Sequence, residues 1–135
     1  IPPNVQFIET SKSPPDAAIS YPELSNWYSN ARAVLITLLY DANDTSGYTN
    51  LLEAMAMGKP ILMTDSGCLD IDVEELGVGY KVSPDSPEAW EEAILRLQSN
   101  SSNVKEMGMR GIEVSRNQFS RKEFGSGLDQ FIQTL

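Results

Sequence analysis

The sequence predicts an α/β domain: an open parallel sheet with helices on both faces. Three observations carry this. Residues 33–39 are apolar except for Thr37, which suits a central strand buried on both faces. From about Tyr48 to Met57 the chain is helical and apolar nearly all round, and Gly58 and Pro60 stop that helix. A second short apolar run, Ile61-Leu62-Met63, follows at once. Strand, helix and strand in that order make a crossover unit, almost always right-handed, whose ligands collect at the carboxyl ends of the strands.

The remaining elements fall around this unit. Val5-Gln6-Phe7-Ile8 reads as a strand, and residues 9–18, rich in Ser, Pro and Asp, as an exposed loop. Leu24, Trp27, Tyr28 and Ala31 recur at helical spacing with Pro22 fitted to the first turn, so this helix should lay one face on a sheet. Beyond Thr64, Gly67, Gly77 and Gly79 interrupt the chain before an edge strand at Tyr80-Lys81-Val82. Ser86-Pro87 is an N-cap and first-turn pair, opening a helix with the stripe Trp90, Ala93, Ile94 and Leu97. Two more helices are expected, near 104–117 and 122–133, the last weakened by Gly125 and Gly127. There is no internal repeat.

Composition narrows the chemistry. At 135 residues the chain is the length of a single domain, and no apolar run approaches the roughly 20 residues needed to cross a bilayer. Its start, Ile1-Pro2-Pro3-Asn4, has no signal-peptide pattern and reads as cut from a longer chain. Ten Lys and Arg against 19 Asp and Glu give a net charge of −9, which repels a phosphate backbone, so nucleic acid is not an expected partner. Cys68 is the lone cysteine and there is no histidine, so neither a zinc-ligand cluster, nor an internal disulfide, nor imidazole acid-base catalysis is available. A reducing cytoplasm is the expected compartment.

Two features meet at the start of the 48–57 helix. The preceding segment brings Thr45, Ser46 and Gly47 to a helix N-terminus, where backbone N–H groups and the positive end of the helix dipole favour an anion such as a diphosphate. Glu53 is the one charged residue among residues 51–57, and helical side chains lean toward the N-terminus, so its carboxylate is expected over Thr49 and Asn50. The two hydroxyls of a ribose could each donate to that carboxylate, and ribose and diphosphate are covalent neighbours. The bland alternative makes Ser46 or Thr45 a plain N-cap and pairs Glu53 with a distant base.

The run Asn50-Leu51-Leu52-Glu53-Ala54-Met55-Ala56-Met57-Gly58-Lys59-Pro60-Ile61-Leu62-Met63-Thr64-Asp65 resembles the signature of retaining glycosyltransferases of the GT-B fold, the group that includes glycogen and sucrose synthases. The flanking segments follow in the family's order: Asn4 to Ile8, Glu23-Leu24 and Tyr28 to Arg32 upstream, Gly79 to Asp85 and Trp90 to Ile94 downstream. The resemblance implies a Rossmann-like open sheet, the C-terminal half of a GT-B fold ending in helices, with residues 1–135 forming one truncated nucleotide-sugar-binding domain. It implies that Glu53 binds the ribose hydroxyls and that backbone N–H groups at Tyr48 and Thr49, beside Ser46 and Gly47, contact the diphosphate. The donor would be a nucleotide diphosphate sugar, with no further cofactor and no metal. Its glycosyl unit would pass to an acceptor hydroxyl with retained configuration. A missing N-terminal domain would hold the acceptor, and the chain alone would be inactive. Membrane association would come only through the parent protein.

The sequence also departs from that pattern. Where many relatives carry a sugar-facing glutamate eight residues before the ribose-binding one, this chain has Thr45; Asp41 and Asp44 are stand-ins, though loop acids more often cap turns or face water. No catalytic residue is therefore assigned. Arg32 and Lys59 are poor substitutes for the family's diphosphate-clamping bases, Lys59 because it follows the helix C-terminus. Trp27, Tyr28 and Trp90 are expected in the core, Cys68 as an ordinary small residue, and Asp70, Asp72, Glu74 and Glu75 as a solvated face. Two other readings stand beside the main one: a sugar-nucleotide-binding module without catalysis, and a receiver-like signalling domain using Asp41 or Asp44 with Lys59.

Overall fold

The computed structural model describes residues 19–38, 46–67 and 70–134; the expected strand at 5–8 and loop at 9–18 lie outside them. Two compact units divide at Asn30/Ala31. In the first, helix α1 spans Tyr21–Asn30. Ser20 starts it, its carbonyl accepting from Leu24 N–H at 2.9 Å and its hydroxyl from Glu23 N–H at 3.4 Å. Tyr28 is buried, but Trp27 is 42% exposed and is not core. At about 100° per residue, Leu24 and Tyr28 lie close together around the axis, while Trp27 falls to the far side of Leu24.

The described residues of the second unit are built on three parallel strands, β1 (Val34–Ile36), β2 (Ile61–Thr64) and β3 (Gly79–Val82), in the order β1-β2-β3. Val34 pairs with Ile61 and Ile61 with Gly79, and the register then runs in step. All four residues of β2 are buried, as befits the middle strand. β1 is shorter than the 33–39 run and, among the described strands, is an outer one with Leu35 47% exposed. An apolar run cannot by itself tell a central strand from one with a single partner.

Among the described residues four helices join this sheet: α2 (Tyr48–Ala56), α3 (Pro87–Ser99), α4 (Ser101–Gln118) and α5 (Arg121–Gln133). Alternation along the strands puts Leu62, Tyr80 and Val82 in one cluster with Ala93 and Leu97 of α3 and Met107 of α4. Trp90 packs against this cluster partly buried. The start of α2 lies on the other face, since a Cβ at Gly47 would stand 3.0 Å from Ile36 Cγ2. Leu51, Met55, Ile61, Leu62, Val73, Val78 and Val114 are below 2% exposed. Each such side chain stabilises the fold by roughly 1.5–3 kcal/mol relative to leaving it in water.

Local chemistry sets the helix ends. Ser86 caps α3 by accepting Ala89 N–H at 3.2 Å, with Pro87 next in the first turn. Gly58 ends α2 at φ +65, and Lys59 N–H returns to Ala54 C=O at 2.9 Å. α4 then approaches α2 very closely: a Cβ at Gly108 would come within 2.3 Å of Gly58 O, and one at Gly111 within 3.2 Å of the Met55 backbone. α5 forms despite Gly125 and Gly127, and it buries no residue. No described helix is long and apolar enough to cross a membrane.

Candidate functional site

The crossover β1-α2-β2 places the N-terminus of α2 beside the carboxyl ends of the strands. Gly47 is its N-cap, left-handed at φ +94 and offering no side-chain cap. The helix's own ladder begins with Leu51 N–H donating to Gly47 C=O at 2.9 Å. Helix geometry leaves the amides ahead of that bond outside the ladder. Ser46 is exposed and is not the N-cap; Thr45, Asp41 and Asp44 lie outside the described residues. Its positive φ favours glycine at 47, and a Cβ there would also press on the Ile36 side chain at 3.0 Å and touch that of Leu38 at 3.4 Å.

α2 is two-sided rather than apolar all round. Leu51, Ala54 and Met55 form its buried stripe, while Thr49, Asn50 and Ala56 are exposed. Glu53 is half-buried. At about 100° per residue it stands roughly opposite that stripe, one turn beyond Thr49. Its side chain therefore leaves the helix on the side away from the core.

The surroundings of the helix start were missed in the sequence. Thr64, 5% exposed at the end of β2, accepts Leu38 N–H on its hydroxyl at 3.0 Å, with Ile36 C=O 3.5 Å from the same oxygen. Its signal was a polar β-branched residue ending an apolar run. The Tyr48 hydroxyl donates to the Asp70 carboxylate, and Asp70 N–H lies 3.4 Å from the Tyr48 oxygen. No local pattern announces a contact 22 residues apart.

Of the acids after β2, Asp70, Glu74 and Glu75 are exposed, as expected of a solvated face, while Asp72 is half-buried and partnered. Asp72 receives Glu74 N–H at 2.9 Å and Glu75 N–H at 3.1 Å, and pairs with Lys81 of β3 at 2.9 Å. The Lys81 ammonium, helped by the Glu75 and Glu74 amides, holds the Asp72 carboxyl below its ordinary value. Lys81 is raised in turn, by Asp72 first and by Asp65 at 4.0 Å. A polar hollow of about 50 Å³ lies between Thr64, Ser66, Asp72 and Lys81. Among the described residues no group of three or more His, Cys, Asp or Glu is placed to hold a metal ion.

The structure thus brings Ser46, Gly47, Tyr48 and Thr49 to one helix start, with Glu53 a turn further along, and sets the loop after β2 beside them. Comparison with known proteins bears on this region. No curated protein matches the chain. Residues 16–100, which include α1, the three described strands, α2 and all of α3, match the family profile described as glycosyl transferases group 1. That match spans more than half of the sequence and contains the helix start and Glu53, and by it the chain belongs to the group 1 glycosyl transferases.

Proposed function

We propose that the chain is the donor-binding domain of a retaining glycosyltransferase, taking a nucleotide diphosphate sugar at the start of α2. One observation carries the reading: α2 opens on a glycine with no side-chain cap, at the carboxyl ends of parallel strands, with Glu53 a turn further along on the side away from the core. In this arrangement the amides of Tyr48 and Thr49, beside Ser46 and Gly47, receive the diphosphate, and the Glu53 carboxylate accepts the ribose hydroxyls. Glu53 binds and does not attack. When the glycosyl unit leaves for an acceptor hydroxyl, negative charge grows on the departing diphosphate, and the helix end stabilises it there without a metal. In this reading the chain's part in the transfer is to hold the donor, and the acceptor is held by other residues than these.

Calorimetric titration of the chain with uridine and guanosine diphosphates and their sugars tests this. Glu53→Ala removes an ionised acceptor of two hydroxyls, and the expected outcome is binding weakened by about 10- to 100-fold. Tight nucleotide binding that ignores Glu53→Ala sinks the ribose assignment.

A further inference from the structure

We propose that the end of β2 and the loop after it brace Leu38, just past β1, and Tyr48, at the start of α2, with Thr64 and Asp70 as positioning residues for the donor's diphosphate. Its bearing on the donor rests on the reading above; the brace itself rests on geometry alone. At the first end, Leu38 has left β1, and the Thr64 hydroxyl supplies what a neighbouring strand otherwise would. Its oxygen accepts Leu38 N–H at 3.0 Å and has Ile36 C=O within 3.5 Å. A hydroxyl can accept one and donate to the other, and a methyl can do neither. Thr64 is 5% exposed, so water is a poor replacement.

At the second end, Tyr48 is the first residue of α2, and its hydroxyl is bound by the Asp70 carboxylate. The two ends meet. A Cβ at Gly47 would lie 3.4 Å from the Leu38 methyls and 3.0 Å from Ile36, so the chain enters α2 where it left β1. The Asp70 loop is itself fixed, because Asp72, two residues on, pairs with Lys81 of β3 at 2.9 Å. Two contacts 26 and 22 residues apart in sequence therefore set where the Tyr48 and Thr49 amides stand. Amides that meet a diphosphate act only when held in place before it arrives.

The test combines amide hydrogen exchange, read on peptides covering 36–49 and on α3 and α4, with calorimetry using uridine and guanosine diphosphates. Thr64→Val and Tyr48→Phe are each expected to raise exchange in 36–49 several-fold while α3 and α4 stay unchanged. Each should weaken diphosphate binding by about five- to tenfold. Thr64→Ser, which keeps the hydroxyl, and Asp70→Asn, which keeps an acceptor, should restore both readouts. Should Thr64→Val fail to fold, Tyr48→Phe and Asp70→Ala decide the matter at the more exposed end. Unchanged exchange in 36–49 overturns the brace. Raised exchange with unchanged affinity overturns the positioning role. A wild-type chain that binds neither diphosphate overturns the donor reading, while the exchange data still judge the brace.

Discussion

Gly108 and Gly125 are both helical glycines, and the same substitution should act on them with opposite sign. At Gly108 an added Cβ would meet the Gly58 carbonyl oxygen at 2.3 Å, a backbone atom that cannot swing aside, so α4 must lift from α2. Gly108→Ala is expected to destabilise the fold by about 2–3 kcal/mol. At Gly125 nothing lies within 4 Å of the added carbon, and alanine restricts the unfolded chain while favouring helix. Gly125→Ala should therefore stabilise by about 0.5–1 kcal/mol. Urea unfolding of the two variants measures both; a Gly108→Ala midpoint equal to wild type denies that the two helices touch through backbone. The low helix propensity of Gly125 is legible locally, but nothing local shows that Gly108 lies against the end of another helix, because the partner carbonyl is 50 residues away.

Elements were legible where the signal is local. Ser86-Pro87 fixed the start of α3, and Gly58 the end of α2, because caps are decided by neighbours in the chain. What periodicity could not supply was placement. The run at 33–39 reads the same for a central or an outer strand, and an alanine- and methionine-rich helix reads as buried all round until its partners are known. The start of α2 was legible for the same reason as the caps. Thr64 and Asp70 were not, because tertiary contacts alone give them a role.

The loop between β2 and β3 also carries a pH dependence. Asp72 is held below its ordinary value by Lys81 first and then by the Glu75 and Glu74 amides, so its contribution is present above the unfolded carboxyl value and is lost as pH falls through the lowered one. Lys81 is raised, so its share is full below the unfolded amine value and is lost as pH climbs through the raised one. Their side chains are each 35% exposed, so solvent screens the pair and the effect is small. Protection of the 70–78 segment against exchange should fall in wild type as pH drops through the lowered Asp72 value, and already at neutral pH in Asp72→Ala. Equal exchange in the two proteins at neutral pH removes the pair from any part in ordering the loop.

Across the whole molecule, a net charge of −9 opposes any anionic ligand, and this sets the proposed site against its own protein. Distant carboxylates act over many ångströms at low ionic strength, whereas helix-end amides act within a few. Salt separates the two, since the Debye length falls from roughly 20 Å at 0.02 M to about 8 Å at 0.15 M and so removes the remote repulsion before the local attraction. A phosphate site built on a cluster of bases behaves in the opposite way, losing affinity as salt rises. The helix-end reading therefore predicts that diphosphate affinity increases several-fold between about 0.02 and 0.15 M sodium chloride, the reverse of ordinary phosphate recognition. Calorimetry across that range decides it: an affinity that falls about tenfold instead means that lysine or arginine side chains, and not the amides at the start of α2, carry the diphosphate.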